Sequence, residues 1–119
     1  MATQSFKGLV VWQKSVELVV LTYEITKLLP KSESYGLVSQ MQRAAVSIPS
    51  NIAEGYMRNN RKEYIQFCSI AAGSAAELET QMLLVNRLYE SVDTVEAANY
   101  LSQIQKMLHV LIGKLKTNP

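Results

Sequence analysis

Apolar residues recur at intervals of three and four along almost the whole chain, which is the period of an amphipathic α-helix. Proline, glycine and small polar residues interrupt this pattern and divide it into four segments. No segment alternates apolar and polar residues as a half-buried β-strand does. The pattern therefore predicts an all-α chain. Because the connections are short, we expect an antiparallel up-down-up-down four-helix bundle.

The first predicted helix extends from about Phe6 to Leu28 and ends before Pro30. Its polar residues occupy a narrow strip, and its apolar residues spread over two faces. One face comprises Leu9, Trp12, Val16, Val19, Val20 and Tyr23, and the other comprises Val11, Leu18, Leu21, Ile25 and Leu28. A monomeric bundle needs one apolar stripe per helix, so the second face predicts self-association. The alternative is a helix that lies centrally within its own bundle.

The second predicted helix begins near Tyr35 and contains Pro49, which predicts a kink or a break. Gly55 either caps its C-terminus or is followed by a little more helix. The expected core stripe comprises Leu37, Met41, Ala44 or Ala45, Ile48 and Ile52.

The third predicted helix begins after Asn60, which has capping-box spacing with Glu63, and continues to about Tyr89. Small residues fill its centre at positions 71–76, so we expect close approach of a neighbouring helix and explain Gly73 in the same way. The expected core stripe comprises Tyr64, Cys68, Ala71, Ala75, Leu78, Met82, Val85 and Tyr89.

The fourth predicted helix begins at Asp93 or Thr94, where Asp93 and Glu96 again have capping-box spacing. Its apolar residues alternate in steps of four and three, which is typical of the seam of a helical bundle. They are Ala97, Leu101, Ile104, Leu108, Leu111 and Leu115.

Composition agrees with one small domain over residues 1–119. Charged residues make up 18% of the chain, below the about 25% usual in soluble domains, which favours a surface covered by another chain. A single cysteine cannot form an intramolecular disulfide. No signal-peptide pattern is visible, and the longest apolar runs are four residues, against about 20 for a membrane span. We therefore expect a cytoplasmic protein with no membrane partner.

Catalytic motifs are nearly absent. His109 is the only histidine, and it falls on the polar side of the last helix. A diiron bundle needs Glu-x-x-His on two helices, but Lys106 stands three residues before His109. Cys68 falls on the core stripe and is interpreted as a small buried hydrophobe rather than a nucleophile. We expect no catalytic residue, metal site or cofactor, and predict that the protein is not an enzyme.

Polar residues also follow one another at spacings of three or four along the second predicted helix and share one face. They are Gln40, Arg43, Ser47, Asn51, Glu54 and Arg58, and the third helix carries Ser74, Glu77 and Glu79 near its centre. This face is either solvated, or it is an ordered polar seam inside the bundle or between subunits. In the second case Glu77 or Glu79 would hold Arg43. Such a seam would fix register and partner choice more than it would add stability.

The predicted bundle separates the charges. Residues 1–17, 51–66 and 105–119 would share one pole, with eight basic and three acidic side chains and a net charge of +5. The remainder has four basic and seven acidic side chains, a net charge of −3. The candidate nucleic-acid-binding residues are Lys7, Arg58, Arg61, Lys62, Lys114 and Lys116. A ring of subunits would gather these poles into an anion-binding rim. Alternatively, the charges merely keep the protein soluble.

Five segments resemble one known family. They are residues 6–13, 35–43, 70–79, 108–115 and above all 47–55, which read Ser-Ile-Pro-Ser-Asn-Ile-Ala-Glu-Gly. In these segments the chain resembles the four-helix-bundle proteins encoded within intervening sequences of bacterial 23S ribosomal RNA genes. The resemblance covers nearly the whole chain.

That family is similar to the accessory protein of diversity-generating retroelements, a basic pentameric barrel that binds nucleic acid and a reverse transcriptase. The resemblance therefore implies a homo-oligomer, commonly a pentamer, without assigned catalytic activity. We expect a non-catalytic protein that associates with RNA through its basic pole. The alternative is a protein-interaction scaffold with no nucleic-acid role, whose partner would be another protein.

Overall fold

Four α-helices follow one another in the computed structural model, which describes residues 5–117. They are α1 (Val10–Lys27), α2 (Leu37–Tyr56), α3 (Arg61–Leu88) and α4 (Val95–Thr117). Short 3₁₀ turns, Phe6–Gly8 and Lys31–Glu33, precede α1 and α2. The described part of the chain contains no β-strand. The prediction of an all-α chain with four helices is confirmed.

Each helix packs against two others, and the four helices together enclose one core. The contacts join α1 to α2, α2 to α3, α3 to α4, and α4 back to α1. The largest fully buried apolar side chains come from all four helices and are Leu18, Met41, Ile48, Ile52, Leu78, Leu101, Ile104 and Leu108. The predicted core stripes of α2, α3 and α4 supply seven of these eight, so the helical period identified the core-facing side of each helix.

The two apolar faces predicted for α1 differ in burial. Val11, Leu18 and Ile25 are buried in the core. On the other face, Val20 and Tyr23 are 48% and 39% exposed. The chain therefore covers one face of α1 by itself and leaves part of the second uncovered.

Pro49 does not break α2, which continues from Leu37 to Tyr56. Pro49 is buried among the core-facing residues of the helix, so packing holds the helix together despite the missing N–H donor. Gly55 is likewise buried inside the helix and does not cap it. A Cβ added to Gly55 would lie 2.8 Å from the Cβ of Phe67 and 3.1 Å from Cδ1 of Tyr64. Gly55 therefore permits close approach of α2 and α3.

Gly73 has the opposite environment, and the prediction that it allows close helix packing is wrong. It is exposed, and a Cβ added there would meet no atom within 4 Å. The neighbouring small residues Ala71 and Ala75 are fully buried. Close packing at the centre of α3 therefore rests on the alanines, because Gly73 points away from the neighbouring helices.

Side-chain hydrogen bonds are present at the starts of α3 and α4, whereas Leu9 and Gly36, the N-cap residues of α1 and α2, form no such cap. Asn60 Oδ1 accepts a hydrogen bond from the backbone N–H of Glu63 at 2.8 Å, which confirms the predicted cap of α3. At α4, Asp93 Oδ1 accepts from the N–H of Val95 at 2.9 Å. The Thr94 hydroxyl is used elsewhere, since it donates to Asn86 Oδ1 at 2.8 Å. The helix therefore begins at Val95.

Candidate nucleic-acid interface and polar groove

Arg58 lies between α2 and α3 and is held by contacts within the chain. Its Nη2 is 2.8 Å from Glu54 Oε2, and its Nε is 3.7 Å from Glu63 Oε1. Its guanidinium carbon is 4.9 Å from the centre of the Phe67 ring. These are partly exposed ion pairs, which add little stability, but they offset the charge of Arg58 locally. Arg58 is therefore a weaker anion ligand than its charge suggests.

Arg61 and Lys62 occupy the first turn of α3 and are both exposed. The amino end of a helix carries partial positive charge, so cations there are unfavourable by about 0.3–1 kcal/mol. The same end attracts anions through its backbone N–H groups. An anion near these two residues would meet both side-chain charge and the helix dipole.

A second basic group surrounds the start of α1. Lys106 and Lys114 of α4 border an apolar groove of about 420 Å³. The other lining residues are Leu9, Val10, Val11, Met107, Val110 and Leu111. Lys7 lies in the 3₁₀ turn Phe6–Gly8, which contacts both α1 and α2. Lys116 is exposed in the last turn of α4, where the helix dipole favours a cation.

The predicted polar seam is ordered at three residues. The hydroxyls of Ser47 and Ser74 are 2.8 Å apart, which joins α2 to α3. Asn51 Nδ2 donates to the Ser47 carbonyl oxygen at 2.8 Å and to the Ser47 hydroxyl oxygen at 2.9 Å. The middle of the α2–α3 contact is therefore hydrogen-bonded through side chains.

Within residues 5–117 of one chain, the carboxylates predicted for this seam do not hold Arg43, and the alternative of a seam between subunits stays a prediction. Glu79 faces α4, where its Oε1 accepts from Gln105 Nε2 at 3.0 Å. Glu77 and Arg43 are exposed, and within residues 5–117 neither takes part in an ion pair. Pairing exposed groups gains little free energy in water, so nothing draws these two together. Glu54 pairs with Arg58 instead.

Arg43 and Glu77 instead line a groove of about 560 Å³ between α2 and α3. The other lining residues are Tyr35, Ser39, Gln40, Ala44, Ser47, Ser74 and Gln81. Gln81 is only 9% exposed, and its Oε1 has no hydrogen-bond partner among the described residues. Gln81 was not among the residues predicted from the sequence, although it continues the spacing of Ser74 and Glu77 along the same face of α3.

Neither Cys68 nor His109 lines the two grooves described above. Cys68 is fully buried, and burial raises the pKa of its thiol to about 11. His109 is exposed on α4. No cluster of three His, Cys, Asp or Glu side chains suited to a metal ion is present in the part of the chain that the structure describes. Over the same residues, no helix combines the length and apolar character needed to cross a membrane.

Sequence comparison identifies the family. The model of the 23S rRNA-intervening sequence protein family matches residues 7–113, which include all of α1, α2 and α3. The chain belongs to this family. The matched residues include those that line the polar groove and all the candidate basic residues except Lys114 and Lys116.

Structure comparison agrees with the family. The chain is similar to a crystal structure of a protein of unknown function from the S23 ribosomal protein family of Bacteroides thetaiotaomicron. The two share 27% sequence identity, over 87% of this chain and 98% of the other, with a TM-score of 0.78. No curated protein matches the chain. The family resemblance predicted from the sequence is confirmed.

Proposed function

We propose that this intervening sequence protein is a non-catalytic, cytoplasmic homo-oligomer that associates with RNA through one basic pole. The observation that carries the proposal is the position of Arg61 and Lys62 in the first turn of α3. Two cations at the positive end of a helix oppose helix stability, but they favour a bound phosphate. Basic side chains that destabilise the start of a helix would gain a role if they bind an anionic partner there.

Contacts between helices support the antiparallel up-down-up-down arrangement that brings the basic residues to one pole. The Tyr56 and Tyr64 rings meet edge to face at 6.0 Å, next to the α2–α3 connection. Lys106 and Lys114, near the end of α4, share a groove with the start of α1. The turn that carries Lys7 contacts α2 as well. The start of α1, the α2–α3 connection and the end of α4 would then form a single surface.

Uncovered apolar side chains support the oligomer. Val20 and Tyr23 of α1, Val46 of α2 and Met57 just after it are all exposed. Each square ångström of apolar surface covered by another subunit is worth about 25 cal/mol. Five subunits is the number that the family resemblance implies.

A protein-interaction scaffold with no nucleic-acid role is the second candidate. The pairing of Arg58 with Glu54 and Glu63 favours it, because it reduces the charge available to phosphates. Crosslinking of the tagged protein in cells, followed by identification of the attached material, separates the two candidates. The proposal expects crosslinked RNA, whereas polypeptide without RNA would support the scaffold.

A further inference from the structure

The groove between α2 and α3 holds polar groups whose chemistry the contacts within the chain do not use. Gln81 Oε1 is buried and has no hydrogen-bond donor among residues 5–117, which marks this groove as an incompletely satisfied part of the α2–α3 contact. Arg43 and Glu77 line the same groove and form no ion pair within the described part of the chain, so one cation and one carboxylate face a shared space. A fitting ligand is neutral and presents hydrogen-bond acceptors on one edge and donors on another.

We propose that this groove binds the base of an unpaired guanine nucleotide. Guanine offers O6 and N7 as two acceptors, and an arginine guanidinium donates to both in the commonest base-specific contact of proteins. Its N1–H and exocyclic amino group are neighbouring donors that a carboxylate such as Glu77 accepts together. Tyr35 is 98% exposed at the edge of the groove and supplies a stacking surface.

Other small ligands use these groups less well. Inorganic phosphate would be attracted by Arg43 but repelled by Glu77. Adenine offers N7 and an exocyclic amino group, which suit an amide such as that of Gln40. It leaves the Arg43 guanidinium without its second acceptor and offers Glu77 no neighbouring pair of donors. A groove of about 560 Å³ falls within the range of about 300–1,000 Å³ found for ligand pockets, enough for a base with part of its ribose.

Guanine binding in this groove rests on the proposed association with RNA, because the RNA strand supplies the guanine. Arg43 and Arg58 both belong to the α2 side of the α2–α3 pair. At about 1.5 Å per helical residue they are separated by about 22 Å. A single strand bound at the basic pole would reach the groove in about six stacked nucleotides, at about 3.4 Å each. A strand of twelve nucleotides therefore reaches both surfaces.

The test compares binding of three twelve-nucleotide RNAs by fluorescence anisotropy. One is oligoadenosine, the second has a single central guanosine, and the third has inosine in its place, which lacks the exocyclic amino group. Guanosine 5′-monophosphate and adenosine 5′-monophosphate, titrated by calorimetry, separate a free nucleotide from a strand. Each is measured with the unchanged protein, with Glu77→Gln and with the matched control Glu79→Gln, whose native carboxylate faces Gln105 and α4.

We expect guanosine to improve binding of the strand about tenfold and inosine to keep part of this gain, because inosine retains O6 and N7 for Arg43 but lacks the amino group from which Glu77 would accept. Glu77→Gln should weaken the guanine preference, because the carboxylate that accepts from N1–H and the amino group is lost, whereas Glu79→Gln should keep the preference. RNA binding without a guanine preference would overturn the inference and leave the RNA function standing. Guanosine monophosphate binding without RNA binding would support the groove and contradict the RNA function. A change in assembly mass with Glu77→Gln would instead identify the groove as a subunit interface and overturn the inference.

Discussion

Gly55 of α2 lies so close to Phe67 of α3 that an added Cβ would be 2.8 Å from the Phe67 Cβ. This distance is shorter than carbon atoms tolerate, and the second neighbour, Tyr64, is also on α3. We predict that Gly55→Ala separates the two helices and destabilises the fold by about 1–3 kcal/mol, despite the better helix propensity of alanine. Urea unfolding followed by circular dichroism measures the change.

Gly73→Ala is the matched control for this effect. Gly73 is exposed within α3 and has open space around it. The same substitution there should stabilise the protein by about 0.5–1 kcal/mol, because alanine is the better helix former. If both variants were equally stabilised, the close approach of α2 and α3 at Gly55 would be wrong.

The hydrogen bond between Ser47 and Ser74 should contribute more stability than Arg43. Ser74 is buried, so Ser47→Ala leaves its hydroxyl without this partner and should cost about 1 kcal/mol. Arg43→Ala removes an exposed side chain that forms no ion pair within residues 5–117, and should change stability by less than about 0.5 kcal/mol. A cost of about 3 kcal/mol for Arg43→Ala would point to a buried partner, for instance in another subunit.

Assembly should depend on the uncovered face of α1. We predict an oligomer at micromolar concentration, and Val20→Glu should weaken it because a charge would have to be buried between subunits. Val95→Glu is the control, since Val95 is an exposed residue in the first turn of α4, where an acidic residue suits the helix dipole. Val11 is unsuitable for this test because it lies in the core. Light scattering that gives the mass of one 13.3 kDa chain throughout this range would contradict the prediction.

Stability should fall in alkaline solution. Burial raises the pKa of the Cys68 thiol from 9.0 to about 11, so the unfolded chain loses this proton at lower pH than the folded chain. Deprotonation therefore favours the unfolded state between pH 9 and pH 11, by up to about 1.4 kcal/mol per pH unit. Urea unfolding at pH 8 and pH 10 should give the lower free energy of unfolding at pH 10. In Cys68→Ala the part of this decrease that comes from the thiol should disappear.

Hydrophobic periodicity was sufficient to predict the helices and most of the core. Leu18, Ile48 and Leu108 lie where a spacing of three or four places them, because burial of an apolar face decides helix orientation. The period cannot tell which of two apolar faces is covered by the same chain, so the exposure of Val20 became visible only in the folded structure. Of the kink or break predicted at Pro49, the break does not occur, because core packing outweighs the lost backbone hydrogen bond.

The candidate sites were harder to predict because they depend on small rotations around a helix. Glu77 and Glu79 are two residues apart and therefore point about 200° apart, towards α2 and α4. From the spacing alone, either carboxylate was predicted as the partner of Arg43. Gln81 was missed because an unsatisfied amide is recognised only when its burial and its neighbours are known.

RNA binding by the basic pole is tested most directly by the salt dependence of affinity in charge-reversed variants. Arg61→Glu with Lys62→Glu places acidic residues in the first turn of α3, where the helix dipole favours them, and circular dichroism of the variant checks that its helices are retained. Lys27→Glu with Lys31→Glu is the control. These residues lie near the end of α1 and in the following turn, outside the proposed basic pole.

The measurement is the affinity for a single-stranded ribosomal RNA fragment at a series of salt concentrations. The account predicts a steep fall of affinity with salt, near-complete loss for the Arg61 and Lys62 double variant, and little change for the control. The corresponding alanine variants should each reduce the log–log slope by about one unit per lost phosphate contact. Equal losses of affinity in both double variants would contradict RNA binding through the basic pole. Absence of binding at about 50 mM salt, where phosphate contacts are strong, would also contradict it.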